Sequence, residues 1–150
     1  MKQFTLQRFS KLTQSHIFQI STDIENFHNI MPDYFKSLDV LEENKYGKIV
    51  DEKINFLGIT IQIKTKHIII YPHIHEVHIL TGPLKGTSFI ELYVSSSGGT
   101  SVSIDINLQF SGIFKLISFL EDFMAKKMSN TMDEFIQSVE MYSEKKMLSK

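Results

Sequence analysis

Thr100-Ser101-Val102-Ser103-Ile104-Asp105-Ile106-Asn107-Leu108-Gln109-Phe110-Ser111-Gly112 is the stretch that decides the fold. Val102, Ile104, Ile106, Leu108 and Phe110 alternate with Ser103, Asp105, Asn107 and Gln109, and successive side chains of a strand point to opposite faces. The segment is therefore a strand with one dry face and one wet face. After Gly112, apolar residues recur at Ile113, Ile117, Leu120, Met124, Met128, Met132, Phe135, Val139 and Tyr142, in steps of three or four. That period belongs to one long amphipathic helix, expected over about 112–143, followed by a charged tail at 144–150 that frays. A sheet wet on one side needs a cover on the other, and this helix supplies it. Its N-terminal half is apolar over a wider arc, because Phe114, Leu116, Phe119 and Phe123 join the stripe.

The same period of two extends upstream to Ser37. It is broken at Lys45-Tyr46-Gly47, Gly58, Tyr71-Pro72, Gly82 to Gly86 and Ser95 to Gly99, all turn-forming sequences. Strands are expected near 37–43, 48–57, 59–71, 73–81, 87–95 and 100–110, and connections this short make neighbours antiparallel. Before them, Gln3 to Ser10 forms a strand with Phe4 and Leu6 on one face. Ser15 caps a short helix carrying Ile17, Phe18 and Ile20. A second short helix, from about Ile24 to Ile30, stops where Pro32 disfavours helical geometry at Met31. Helices this short must pack on something else. The order is β-α-α-β(6)-α: an α+β chain, one domain over 1–150, with a curved antiparallel sheet wrapped around a long C-terminal helix.

Composition narrows the function. The 150 residues are 42% apolar, enough for one sizeable core. Sixteen basic and 17 acidic residues, spread along the chain, leave a net charge of -1. No electrostatic footprint suits a phosphate backbone or an anionic bilayer, so neither nucleic acid nor membrane insertion is expected. The absence of cysteine excludes disulfides, thiolate metal sites and a Cys nucleophile. Met1-Lys2-Gln3-Phe4 lacks the apolar run of a signal peptide and no segment has the apolar length of a membrane span, which points to the cytoplasm. No Gly-rich phosphate loop, Gly-x-Ser-x-Gly elbow or His-Glu-x-x-His pair occurs, so the common hydrolase and nucleotide classes lack support and no cofactor is expected. Twelve Phe, five Tyr and seven Met suit an adaptable pocket lining as well as a core.

Three landmarks carry a family resemblance. Ile17-Phe18-Gln19-Ile20-Ser21-Thr22-Asp23-Ile24-Glu25-Asn26-Phe27, running into Met31-Pro32, resembles the helix-helix segment of START-like (Bet v 1-like) domains in the polyketide cyclase and coenzyme-Q-binding branch. Thr81-Gly82-Pro83-Leu84-Lys85-Gly86 resembles that branch's Gly-Pro-aromatic turn, and Gly98-Gly99-Thr100-Ser101-Val102 its Gly-Thr-x-Val strand entry. The resemblance covers nearly the whole chain. It implies the helix-grip fold, with a hydrophobic cavity between sheet and helix in which relatives bind or chaperone lipids, quinones, sterols or polyketides. A minority of relatives catalyse cyclisation, dehydration or hydrolysis there, and others bind proteins. Where the quinone-binding branch carries a Trp after the Gly-Pro turn, this chain has Glu91, which counts against a quinone.

Strand parity identifies the polar side chains that face inward. In the strand 59–71, Thr65, His67 and Tyr71 share the face of Ile61, Ile63 and Ile69. Folding through Tyr71 to His73 sets His67 opposite Val77 and Ile69 opposite His75. The Gly82 to Gly86 turn then sets Val77 opposite Glu91 and His75 opposite Tyr93, and Glu91 lies opposite Ile104. His67, His75 and Glu91 are thus expected to converge on the inner face. Three uses are open for them: a water-facing group near a cavity mouth, a polar anchor for an apolar ligand, or a reactive site. In the last, either Glu91 with His67 or His75 would act as general acid and base, or two His and one carboxylate would hold a metal. A metal site is not expected, because His75 and His78 have opposite parity. The candidate cavity residues are Phe27, Tyr34, Phe35, His67, Tyr71, His75, Glu91, Tyr93, Phe114, Met124 and Met128, with the mouth closed by the short helices and Met31 to Lys36. The expected partner is a small hydrophobic molecule. The alternatives are a cyclase, aromatase or dehydratase on the same fold and a protein-interaction domain, the last favoured by a filled interior lacking a pocket of roughly 300 Å³.

Overall fold

Alternation along the chain builds seven strands, and the computed structural model describes residues 2–56, 58–112, 119 and 121–148. The order is β1 (Lys2–Ser10), α1 (Gln14–Thr22), a 3-10 turn (Ile24–Asn26), α2 (Phe27–Ile30), β2 (Phe35–Asn44), β3 (Gly47–Phe56), β4 (Ile59–Ile70), β5 (Ile74–Ile79), β6 (Ser88–Ser96), β7 (Gly99–Leu108) and α3 (Glu121–Leu148). The strands form one antiparallel sheet in the order β1-β7-β6-β5-β4-β3-β2. Five hairpins account for β2 to β7, and the first strand completes the sheet by pairing with the last, from Lys2 with Leu108 to Ser10 with Thr100.

Closure beside Ser10 depends on a glycine. A Cβ on Gly99 would lie 2.0 Å from the Ser10 carbonyl oxygen and 3.0 Å from Lys11 Cα. Backbone cannot yield there without parting β1 from β7. Gly99→Ala is expected to lower stability by about 1–3 kcal/mol, as overpacking does, measured by urea unfolding.

The inner face of β7 is sealed, with Val102, Ile104, Ile106 and Leu108 at most 2% exposed. Met124, Phe135, Ile136 and Val139 of α3 join the same core, as do Ile17 and Phe18 of α1 and Ile24 of the 3-10 turn. Together these residues form a helix gripped by a curved sheet.

Several boundaries differ from the sequence reading. Thr13, not Ser15, precedes α1, and it makes no side-chain cap bond. The strand expected from 37 begins at Phe35 and carries register shifts at Phe35/Ser37 and Val40/Glu42. The strand expected over 73–81 shortens to Ile74–Ile79, because Leu80 onward turns away to form the Gly82 to Gly86 loop. The C-terminal helix continues through Leu148 rather than fraying at 144. Its expected beginning lies partly outside the described residues, as does Phe114.

Candidate functional site

The site is built from the inward-facing positions of β3 to β6. Val50, Glu52, Ile54 and Phe56 are the buried set of β3, and Ile63, Thr65 and His67 that of β4. His75 of β5 and Glu91 and Tyr93 of β6 continue the row. Register sets which of these meet: His67 pairs with Val77 and Ile69 with His75, as expected. Between β5 and β6 the expected pairing is two residues off, since His75 opposes Glu91 and Val77 opposes Phe89. The turn closes from Ile79 to Thr87, with Ile79 N donating to Thr87 O at 2.9 Å and Gly86 N to Ile79 O at 3.0 Å. A shift of two keeps every side chain on its face, so the cluster survives and its members come closer.

The polar groups form one hydrogen-bonded line across four strands. Glu91 Oε1 lies 2.7 Å from His75 Nδ1, and His75 Nε2 lies 2.9 Å from His67 Nδ1. His67 Nε2 lies 3.2 Å from Glu52 Oε2 and 2.9 Å from Thr65 Oγ1, which itself donates to Glu52 Oε2. Tyr93 OH donates to Glu91 Oε1 at 3.0 Å. The two imidazoles are inclined by only 17° and joined through facing nitrogens, so they meet edge to edge. The donors point along the line at one another, and among the described residues no group of three converges as metal ligands would.

The line makes four contacts at imidazole nitrogens: Glu52 and Thr65 to His67 Nε2, His67 Nδ1 to His75 Nε2, and Glu91 to His75 Nδ1. Two neutral imidazoles supply two N–H groups, which can serve both carboxylates or one carboxylate and the ring-to-ring contact. Burial pushes His67 below the usual imidazole value, opposed by its hydrogen bond to Glu52. Burial, reinforced by the Glu91 charge, holds the Tyr93 phenol well above its ordinary value. Tyr34 is pushed up to about 12 by burial and by Glu52. Both phenols therefore stay neutral.

The His67 shift has a sign that can be tested. The unfolded imidazole protonates near its ordinary value of 6.5, while the folded one resists until a lower pH. Its contribution to stability is thus present above 6.5 and is lost as pH falls below it, by up to about 1.4 kcal/mol per pH unit. Urea unfolding between pH 7.5 and 5 is expected to show a steeper loss for the wild type than for His67→Gln.

The line forms part of the wall of a chamber of about 110 Å³ between the sheet, α2 and α3. Phe27, Met31, Tyr34 and Phe35 line it from the short-helix side, Met128, Thr131, Met132 and Phe135 from α3, and Ile54, Ile63, Val77, Ile79 and Phe89 from the strands. A wider vestibule of about 600 Å³ shares Tyr34, Phe89, Met128, Thr131 and Met132 with it and is edged by Asn55, Phe123, Lys127 and Glu134.

Of the candidate residues, Phe27, Tyr34, Phe35, His67, His75, Glu91 and Met128 line the chamber. Tyr71 does not: it lies in the turn after β4, where alternation has ended, and is 57% exposed. Its ring rests edge-on against Phe18, at 5.7 Å. Tyr93 stands behind Glu91 rather than in the wall, and Met124 is buried in the core away from the lining. Phe114 lies outside the described residues. His73 and His78 point elsewhere, to Gln14 and Glu76 respectively. Sequence reasoning missed Glu52, and placed Thr65 on the inner face without joining it to the cluster. Glu52 could have been found by parity, as the single charge among Val50, Ile54 and Phe56.

Neither a protein-family model nor a curated protein sequence matches the chain. Solved structures do. A START superfamily protein from Mycobacterium smegmatis superposes with a TM-score of 0.64 at 13% identity, covering 88% of this chain and 97% of that one. Ara h 8.0201 gives 0.74 at 16% identity, over 94% and 96%. The Zhui aromatase/cyclase from Streptomyces sp. R1128 gives 0.76 at 10% identity, over 93% of each. The chain has the helix-grip fold of START and Bet v 1-like proteins.

Proposed function

We propose that this protein binds a small, largely apolar molecule in the chamber and anchors one polar group of it on the line from Glu52 to Glu91. The supporting observation is the contrast in the wall: aromatic, aliphatic and Met side chains, interrupted by a few convergent hydrogen-bonding groups. The chamber alone is smaller than roughly 300 Å³ and reaches the size of a ligand pocket only where it joins the vestibule of about 600 Å³, so the binding reading rests on the two together. A chamber of about 110 Å³ suits a compact apolar body, and a longer lipid, sterol or polyketide-like tail would extend into the vestibule. The two short helices and Met31 to Lys36 would close over it. Carriage of such a molecule through the cytoplasm is the biological role this implies. Native mass spectrometry beside a denatured sample tests the reading: a non-covalent apolar mass released on unfolding supports it. An empty protein that also fails to take up any apolar probe contradicts it.

One feature favours a second reading, a cyclase, aromatase or dehydratase. Two imidazoles linked between two carboxylates can give or take a proton at the chamber wall, with Glu91 and His75 as the closer imidazole–carboxylate pair. Glu91→Gln separates the two. A binding protein is expected to show a modest affinity change, whereas an acid-base enzyme loses turnover by about 10² or more in a cyclisation or dehydration assay.

A further inference from the structure

Two carboxylates, Glu52 and Glu91, line the chamber, and no lysine or arginine is among its described lining residues. A buried net charge is costly unless an opposite charge meets it. The rest of the wall suits a cation. Phe27, Tyr34, Phe35, Phe89 and Phe135 all border the chamber, and ring faces attract cations most strongly when water is excluded. Phe27, Phe35 and Phe135 pack on one another at 5.0 to 6.5 Å, which fixes their orientation. A further acceptor is waiting. Ser21 Oγ is fully buried, lines the chamber and approaches the Tyr93 phenol without forming a hydrogen bond of acceptable geometry. A hydroxyl held this way has a lone pair to offer an N–H donor.

We infer that the chamber takes a small organic cation, a protonated amine on an apolar or aromatic body. Its ammonium would lie against the carboxylates of the line, while the body packs among the phenylalanines. This rests on the binding reading above and names the ligand class for the same site. An anion of equal shape would add to the buried negative charge and is rejected. A neutral alcohol can satisfy the hydrogen bonds and leaves the charge uncompensated.

Benzylamine, benzyl alcohol and benzoate share one ring and differ in charge at pH 7, so they form the test. Each is titrated into the unmodified protein, with affinity read from chemical-shift changes of the His67 and His75 rings. Benzylamine is expected to bind at least about tenfold more tightly than benzyl alcohol, equivalent to ~1.4 kcal/mol, with benzoate weakest. Equal or tighter binding of the alcohol overturns the assignment of a cation and leaves the binding reading standing. If none of the three shifts the histidine signals, both fail.

Discussion

Replacing His75 with alanine is expected to destabilise the protein by about 3–5 kcal/mol, because it leaves the buried Glu91 carboxylate without its partner. His75 Nδ1 contacts Glu91 Oε1 at 2.7 Å and Nε2 contacts His67 Nδ1 at 2.9 Å, with the His75 and Glu91 side chains only 3% and 9% exposed. The substitution strands a carboxylate and an imidazole together at a buried position. If the contacts act as a unit, the cost of His75→Ala and that of Glu91→Leu will not add. A double-mutant cycle by urea unfolding should then return a coupling of about 1–3 kcal/mol. Additive losses would mean that the two side chains are merely neighbours.

The second large effect is expected at Phe18→Ala, about 3–5 kcal/mol by the same measurement. Phe18 is fully buried, and its ring meets Tyr93 edge-on at 5.1 Å and Tyr71 at 5.7 Å. Through Tyr93 it supports the hydrogen bond that holds Glu91, so the cavity left by the deletion lies directly behind the line. Phe18→Leu should recover part of the stability. It should also weaken binding of a chamber ligand less than Phe18→Ala does, because more of the packing against Tyr93 remains. Equal binding by all three proteins would show that Tyr93 does not need this support.

Much of this arrangement is legible in the sequence, and the reasons are local. Val102 to Phe110 alternate so cleanly that the wet and dry faces of β7 follow directly, and the recurring Met124, Met128 and Met132 then require a covering helix. Parity also carried His67, His75 and Glu91 to one face, because a hairpin fixes face more firmly than it fixes register. What parity could not supply was the exact closure of the Gly82 to Gly86 turn. Leu84, 1% exposed, folds inward there, and its placement moved β6 by two residues relative to the simplest turn.

Glu52 escaped notice for a different reason. Lys48, Asp51 and Lys53 surround it in sequence, so β3 looks like a solvated strand until alternate residues are read separately. Its role depends on a diagonal contact to β4, where it meets Thr65 and His67, and diagonal reach varies with side-chain length. Tyr71 erred in the opposite direction. Extending alternation one residue past the end of β4 puts it on the inner face, but position 71 lies in a turn where the rule no longer applies.

The hydrogen-bonded line at the chamber wall is the centre of the account, and nitrogen-15 NMR of selectively labelled histidine tests it most directly. His67 and His75 should show slowly exchanging imidazole N–H protons at neutral pH, with a coupling across the bond from one ring to the other. Rings that exchange rapidly with water and show no such coupling would contradict the line.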